Sequence, residues 1–172
     1  MNNLDQDLIR IAGVVKESTV DGPGFRYTVF TQGCPHKCPG CHNPETHDLN
    51  GGKLVSIDKL VEDIHKNPLL KGVTISGGDP FMQADKVYTL ISKLDKRLTV
   101  MVYTGFKYED LLKGATDENH FIDVLKNTDV LMDGKFIEEL KDENILYRGS
   151  SNQRAIEAKN SIEKGEIILH EF

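Results

Sequence analysis

Apolar residues along this chain fall into short blocks of two kinds, and the two kinds alternate. Tyr27-Thr28-Val29-Phe30-Thr31 is β-branched or aromatic at every position, the composition of a strand. Ser56 then offers an N-cap, and Leu60, Val61 and Ile64 recur at helical spacing as far as about Lys66. Val73-Thr74-Ile75-Ser76 reads as a buried strand stopped by Gly77-Gly78. Val87, Leu90, Ile91 and Leu94 predict a helix over 83–94, and a strand follows over 98–103, stopped at Thr104-Gly105. Phe121, Ile122 and Leu125 share one helical face over 117–126, and Val130-Leu131-Met132 is a further buried strand, stopped at Asp133-Gly134. After about Ile145 the rhythm breaks. A polar loop over 147–154 is followed by two strand pieces, at Ile156 and over 166–169, which could pair at an edge.

Strands alternating with helices at this spacing imply βαβ units and a parallel sheet with helices outside it. The length of 172 residues suits one domain, 1–172, with at most about six strands. The expected architecture is therefore α/β, an incomplete (β/α) barrel rather than a closed one. The unusual residues all follow strand ends: the cysteine segment, Gly77-Gly78-Asp79-Pro80, Thr104-Gly105 and Asp133-Gly134-Lys135. In parallel α/β folds those ends share one rim, and sites are built there.

Composition narrows the function classes. The net charge is −6 and the 21 basic residues are scattered, which speaks against a nucleic-acid-binding stripe. No run approaches the roughly 20 apolar residues of a membrane helix. The opening MNNLDQDLIR is too polar for a secretory signal, so the expected location is cytoplasmic.

All three cysteines lie between positions 34 and 41, spaced C-x3-C-x2-C in a loop stiffened by Pro35, Pro39 and Gly40. An odd, crowded set cannot make a disulfide framework. Thiolates suit iron–sulfur clusters or zinc. With Cys34, Cys38 and Cys41 on a cubane, one iron is left without a protein ligand, which is what inner-sphere chemistry requires. A structural Cys3His zinc site, with His36, His42 or His47 as fourth ligand, fits the same spacing. Three unrelated core cysteines would not sit together in a Pro/Gly loop.

Taken with Asp21-Gly22-Pro23-Gly24-Phe25-Arg26, Gln32-Gly33 and Cys41-His42-Asn43-Pro44-Glu45-Thr46, the cysteine segment resembles the glycyl-radical-enzyme activases of the radical S-adenosylmethionine (SAM) superfamily. The short length and the RGSSNQR tail are similar to the activases of anaerobic ribonucleotide reductase in particular. The resemblance implies a [4Fe–4S] cluster on Cys34, Cys38 and Cys41, with SAM chelating the open iron. It implies a 5′-deoxyadenosyl radical that takes a Cα hydrogen from a glycine of the reductase large subunit, an electron donor such as a flavodoxin, and a possible homodimer. It also implies SAM contacts. Gly77, Gly78 and Asp79 would meet the amino group, Asp79 standing where the superfamily more often has Glu. Lys135 would offset the carboxylate charge, Asp133 would orient it or a bound cation, and the Thr104 hydroxyl would touch the SAM as well.

Overall fold

The computed structural model describes residues 7–172; the first six residues of the polar N-terminal stretch lie outside the described residues. The elements run β1 (Leu8–Ser18), β2 (Arg26–Thr31), β3 (Lys53–Ser56), α1 (Ile57–His65), β4 (Gly72–Gly77), α2 (Ala84–Ser92), β5 (Thr99–Tyr103), α3 (Tyr108–Gly114), α4 (Phe121–Lys126), β6 (Val130–Asp133), β7 (Arg154–Ile156) and α5 (Ala158–Lys164). All strands join one sheet, ordered β3-β1-β2-β4-β5-β6-β7. The central pairs β2–β4, β4–β5 and β5–β6 are parallel. Antiparallel strands flank them, β1 and β3 on one side and β7 on the other. The sheet is open, with β3 and β7 as its edges, so the incomplete barrel expected from the sequence holds.

Among the described residues the strand count is higher than expected, seven rather than six or fewer. Two of the additions come from β1 and β3, whose patterns are weak. In β1 the register shifts between Ile11 and Gly13, and its second half is mostly exposed. β3 has four residues and none is buried. The helix expected over 117–126 begins only at Phe121, because His120 sits in the left-handed region at φ 60°. The helices α3 and α5 had no apolar stripe to betray them: α5 buries only Ala158 and Ser161. That helix lies between the two expected tail pieces: the one at Ile156 is the end of β7, whereas the one over 166–169 meets it only in an antiparallel bridge, Ile156 to Leu169.

Side chains alternate across the sheet, so each strand serves two faces. Tyr27, Val29, Val73, Ile75, Val100, Val102 and Leu131 join the large core that includes the helices. The other face carries Met101, Val130 and Met132 as a separate apolar group, and a polar floor beside it. Arg26 is 1% exposed and anchors that floor. Its guanidinium donates to Thr74 Oγ1 at 2.8 Å, Thr99 Oγ1 at 2.9 Å, and the Val73 and Thr99 carbonyls at 3.0 Å. Burial pushes its pKa down. Thr74 Oγ1 donates in turn to the Asp21 carbonyl at 2.9 Å, and Thr28 Oγ1 donates to the Asp21 carboxylate at 3.1 Å. The Asp21-Gly22-Pro23-Gly24 turn is thereby tied to the strands under the site.

Candidate functional site

β2 delivers the chain into the cysteine loop, and backbone bonds close that loop on itself. Gly33 N–H donates to the Thr46 carbonyl at 2.7 Å and Cys34 N–H to that of His47 at 3.3 Å. The buried Gln32 amide donates to the Glu45 and Asp48 carbonyls at 3.0 and 2.8 Å. Inside the loop, Cys41 N–H donates to the Cys38 carbonyl at 3.2 Å, and Asn43 N–H points to Cys41 Sγ at 3.4 Å. Lys37 and Gly40 both have positive φ, 49° and 73°, which curls the loop back between successive cysteines.

The three thiols are free and half-buried, and all of them line one cavity of about 410 Å³. Gly77 and Gly78 from the end of β4, Thr104 and Gly105 after β5, and Gly134 after β6 complete its wall. The convergence of strand-end loops expected from the sequence is therefore real. Burial pushes the Cys34 thiol pKa up. Among the described residues, no group of three or more Cys, His, Asp or Glu side chains is placed to hold one metal ion. A cubane asks for something different, since each cysteine bonds its own iron.

Close approach explains the glycines. Gly77 has φ 98°, and a Cβ there would lie 2.5 Å from the Thr31 backbone. A Cβ on Gly78 would lie 2.3 Å from the Gly33 carbonyl oxygen. Gly78 N–H donates to the Thr31 carbonyl and Asp79 N–H to that of Gly33, both at 2.8 Å. The β4 loop and the start of the cysteine loop are thus in backbone contact.

Three of the residues expected at the SAM do not line this cavity. Asp79 is 0% exposed and lies behind the cavity wall, surrounded by protein donors. Asp133, 1% exposed, faces away to Arg154 Nε at 2.9 Å and the Tyr108 N–H at 2.8 Å. Lys135 is exposed and does not line the cavity, and its carbonyl accepts from Asn152 Nδ2 at 2.8 Å. The reason is common to both carboxylates. Each is taken up by protein donors, Asp79 by the Phe81 and Gly105 N–H groups, the Thr104 hydroxyl and His36, and Asp133 by the Tyr108 N–H and Arg154.

Arg154 bridges Asp133 to Glu109, donating to Glu109 Oε1 at 3.0 Å and Oε2 at 2.7 Å. That guanidinium holds the Glu109 pKa down, to about 2 from 4.5. A depressed carboxylate stabilises the fold fully above its unfolded pKa, and that stability is lost as pH falls through the folded value. Glu109→Gln is therefore expected to lower thermal stability above pH 4.5, including near neutrality, and to converge on wild type as pH falls to about 2. The effect is modest, because the pair is 46% and 31% exposed. Thermal unfolding across that range checks it.

The cavity also contains residues the sequence reading did not assign to it. Tyr103 and Tyr147 meet on its wall, Tyr103 Oη donating to the Tyr147 carbonyl at 2.7 Å. Gln153 ties the tail loop over the site, accepting from Gly149 N–H at 2.9 Å and donating to the Gly134 carbonyl at 3.0 Å. Arg148 lines the cavity and is its sole Lys or Arg among the described residues. Its Nε is buried without a hydrogen-bond partner. The signal was present in the RGSSNQR tail, but nothing local told Arg148 from Arg154.

Comparison with known proteins places this site. The family model of the 4Fe-4S single cluster domain matches residues 20–156, a span that takes in all three cysteines and every rim loop. The anaerobic ribonucleoside-triphosphate reductase-activating protein of Salmonella typhimurium is 35% identical over 143 residues, which cover 78% of this chain and 89% of that protein. The protein of the same name from Enterobacteria phage T4 is 34% identical, over 78% of this chain and 85% of its own length. The pyruvate formate-lyase-activating enzyme of Staphylococcus epidermidis is 36% identical over 146 residues, 78% of this chain but 55% of that protein. The chain therefore belongs to the 4Fe-4S single cluster domain family, in the group formed by the reductase-activating proteins. The resemblance to glycyl-radical-enzyme activases drawn from the cysteine segment is borne out by these relatives. No helix among the described residues is long and apolar enough to cross a membrane.

Proposed function

We propose that this chain is an activase that installs a glycyl radical on the large subunit of an anaerobic ribonucleotide reductase, using SAM and a [4Fe–4S] cluster held by Cys34, Cys38 and Cys41. The observation that carries the proposal is the gathering of three free thiols on one cavity at the C-terminal ends of parallel strands. Bound there, such a cluster supplies the low-potential electron for reductive cleavage of SAM.

The residues present fit such a pair of cofactors. Three thiols are soft donors for iron, and a three-cysteine set leaves one iron open to a substrate. Arg148 supplies a buried donor that lacks a partner, and a carboxylate such as that of SAM would satisfy it. The bare backbone at Gly77, Gly78 and Gly134 gives a ligand close access to the wall. His36 is already bonded to Asp79, and His42 packs on Phe136 with ring centroids 5.1 Å apart.

An open sheet leaves room for a partner's glycine loop to enter, which a closed barrel would not. A flavodoxin-like donor, a cytoplasmic location and a homodimer belong to the same reading. The test is electron paramagnetic resonance after anaerobic incubation with SAM, a reductant and a candidate partner. A glycyl radical doublet on the ribonucleotide reductase, and none on pyruvate formate-lyase, is the expected result. A doublet on pyruvate formate-lyase alone would reassign the partner.

A further inference from the structure

Asp79 is the best-connected carboxylate in the structure, and every connection is to the protein. Its Oδ1 accepts from Phe81 N–H at 3.0 Å and from Thr104 Oγ1 at 3.0 Å. Its Oδ2 accepts from Gly105 N–H at 2.9 Å, from Thr104 Oγ1 at 2.9 Å and from His36 Nε2. A carboxylate offers about four acceptor sites, and here four donor groups converge on them. Thr104 Oγ1 spends its one proton on Asp79 and accepts from Phe106 N–H at 3.1 Å. Nothing is left on the carboxylate for an ammonium group.

The fourth donor matters because of where it comes from. His36 lies between Cys34 and Cys38, and its side chain is only 6% exposed. The ring lies edge-on to Phe106, centroids 4.5 Å apart, and presses on Gly105, where a Cβ would come within 2.4 Å of His36 Cδ2. His36 thus plugs into a socket made by the loops after β4 and β5. With the Nε2 proton directed at Asp79, the imidazole fixes the middle of the cysteine loop against the rim that faces it.

We infer that His36 and Asp79 form an internal strut that positions the cysteine loop, and that Asp79 is a positioning residue rather than a ligand of the SAM amino group. This deepens the activase reading in what it says of the cluster, but the strut itself exists without one. The aspartate is short enough to stay in the socket. A direct ammonium contact would have to break bonds that hold the loop.

The test uses His36→Ala, His36→Gln and Asp79→Asn. Hydrogen exchange on the cluster-free protein comes first. His36→Ala is expected to speed exchange of amides in 33–47 about tenfold while β2, β4 and β5 keep wild-type protection. His36→Gln restores protection, because its amide can donate to the same carboxylate. After reconstitution with iron and sulfide, bathophenanthroline is expected to strip iron about tenfold faster from His36→Ala and Asp79→Asn than from wild type. SAM affinity per loaded site is expected to stay within about twofold of wild type for His36→Ala. Unchanged exchange over 33–47 in His36→Ala overturns the strut. So does an Asp79→Asn protein that keeps wild-type iron retention but binds SAM at least about tenfold more weakly. A wild-type protein that takes up no iron would sink the activase reading alone, and the exchange result would still decide the strut.

Discussion

Replacing Cys34, Cys38 or Cys41 by alanine is expected to lower reductive cleavage of SAM by at least about a thousandfold, to background. Each thiol lines the same cavity, and none forms a disulfide that could mask its loss. A cubane with two remaining protein ligands is exposed on two irons, so the variants should also carry less iron and sulfide after reconstitution. The loop should survive the change, because its closing bonds run through backbone and through Gln32 rather than through sulfur. The far-ultraviolet circular dichroism of each variant should therefore match wild type. A variant that produces 5′-deoxyadenosine at the wild-type rate would remove that cysteine from the ligand set.

The second large effect is expected at a residue with no side chain. Gly78→Ala would place a methyl group 2.3 Å from the Gly33 oxygen and 2.8 Å from the Gly33 carbonyl carbon. Both are backbone atoms, so no side chain can swing aside. The joint must open, which threatens the bond from Asp79 N–H to Gly33 and the one from Gly78 N–H to Thr31. Overpacking plus weakened hydrogen bonds makes a loss of about 3 kcal/mol, read by denaturant unfolding. Iron uptake should fall with it, since Gly33 precedes Cys34. Gly13→Ala is the matched control, because a Cβ there meets nothing within 4 Å. Equal stability of the two variants would contradict the close-approach account of the glycine pair.

Much of this arrangement was legible because its causes are local. Ser56 caps α1 through its hydroxyl, accepting from Lys59 N–H at 3.3 Å, and the buried positions Ile57, Leu60 and Ile64 follow the helical period. The central strands are buried on both faces and so read as short apolar runs. The cysteine spacing survives any uncertainty about the fold, because the loop is one continuous segment.

What escaped has a physical reason in each case. The helix α3 buries only Tyr108 and Leu111, too few positions to establish a period. Asp133 and Arg154 are 21 residues apart, and only the antiparallel pairing of β6 with β7 makes them neighbours. The family resemblance offered Lys135, two positions from Asp133, as a cation near the SAM, whereas the Lys or Arg on the cavity wall among the described residues is Arg148. The surroundings of Asp79 were not legible for a related reason. Its partners lie on three separate segments, at His36, Phe81 and Thr104-Gly105, and no local pattern reveals that a carboxylate is already saturated.

The central claim is that the cavity of Cys34, Cys38 and Cys41 carries out radical SAM chemistry. Its most direct test is to reconstitute the purified protein anaerobically with iron and sulfide, add SAM, and measure 5′-deoxyadenosine with and without a one-electron reductant. The account predicts product only with reductant, from a brown protein that loses its colour and activity in air. A colourless protein that takes up zinc instead and never cleaves SAM would contradict it.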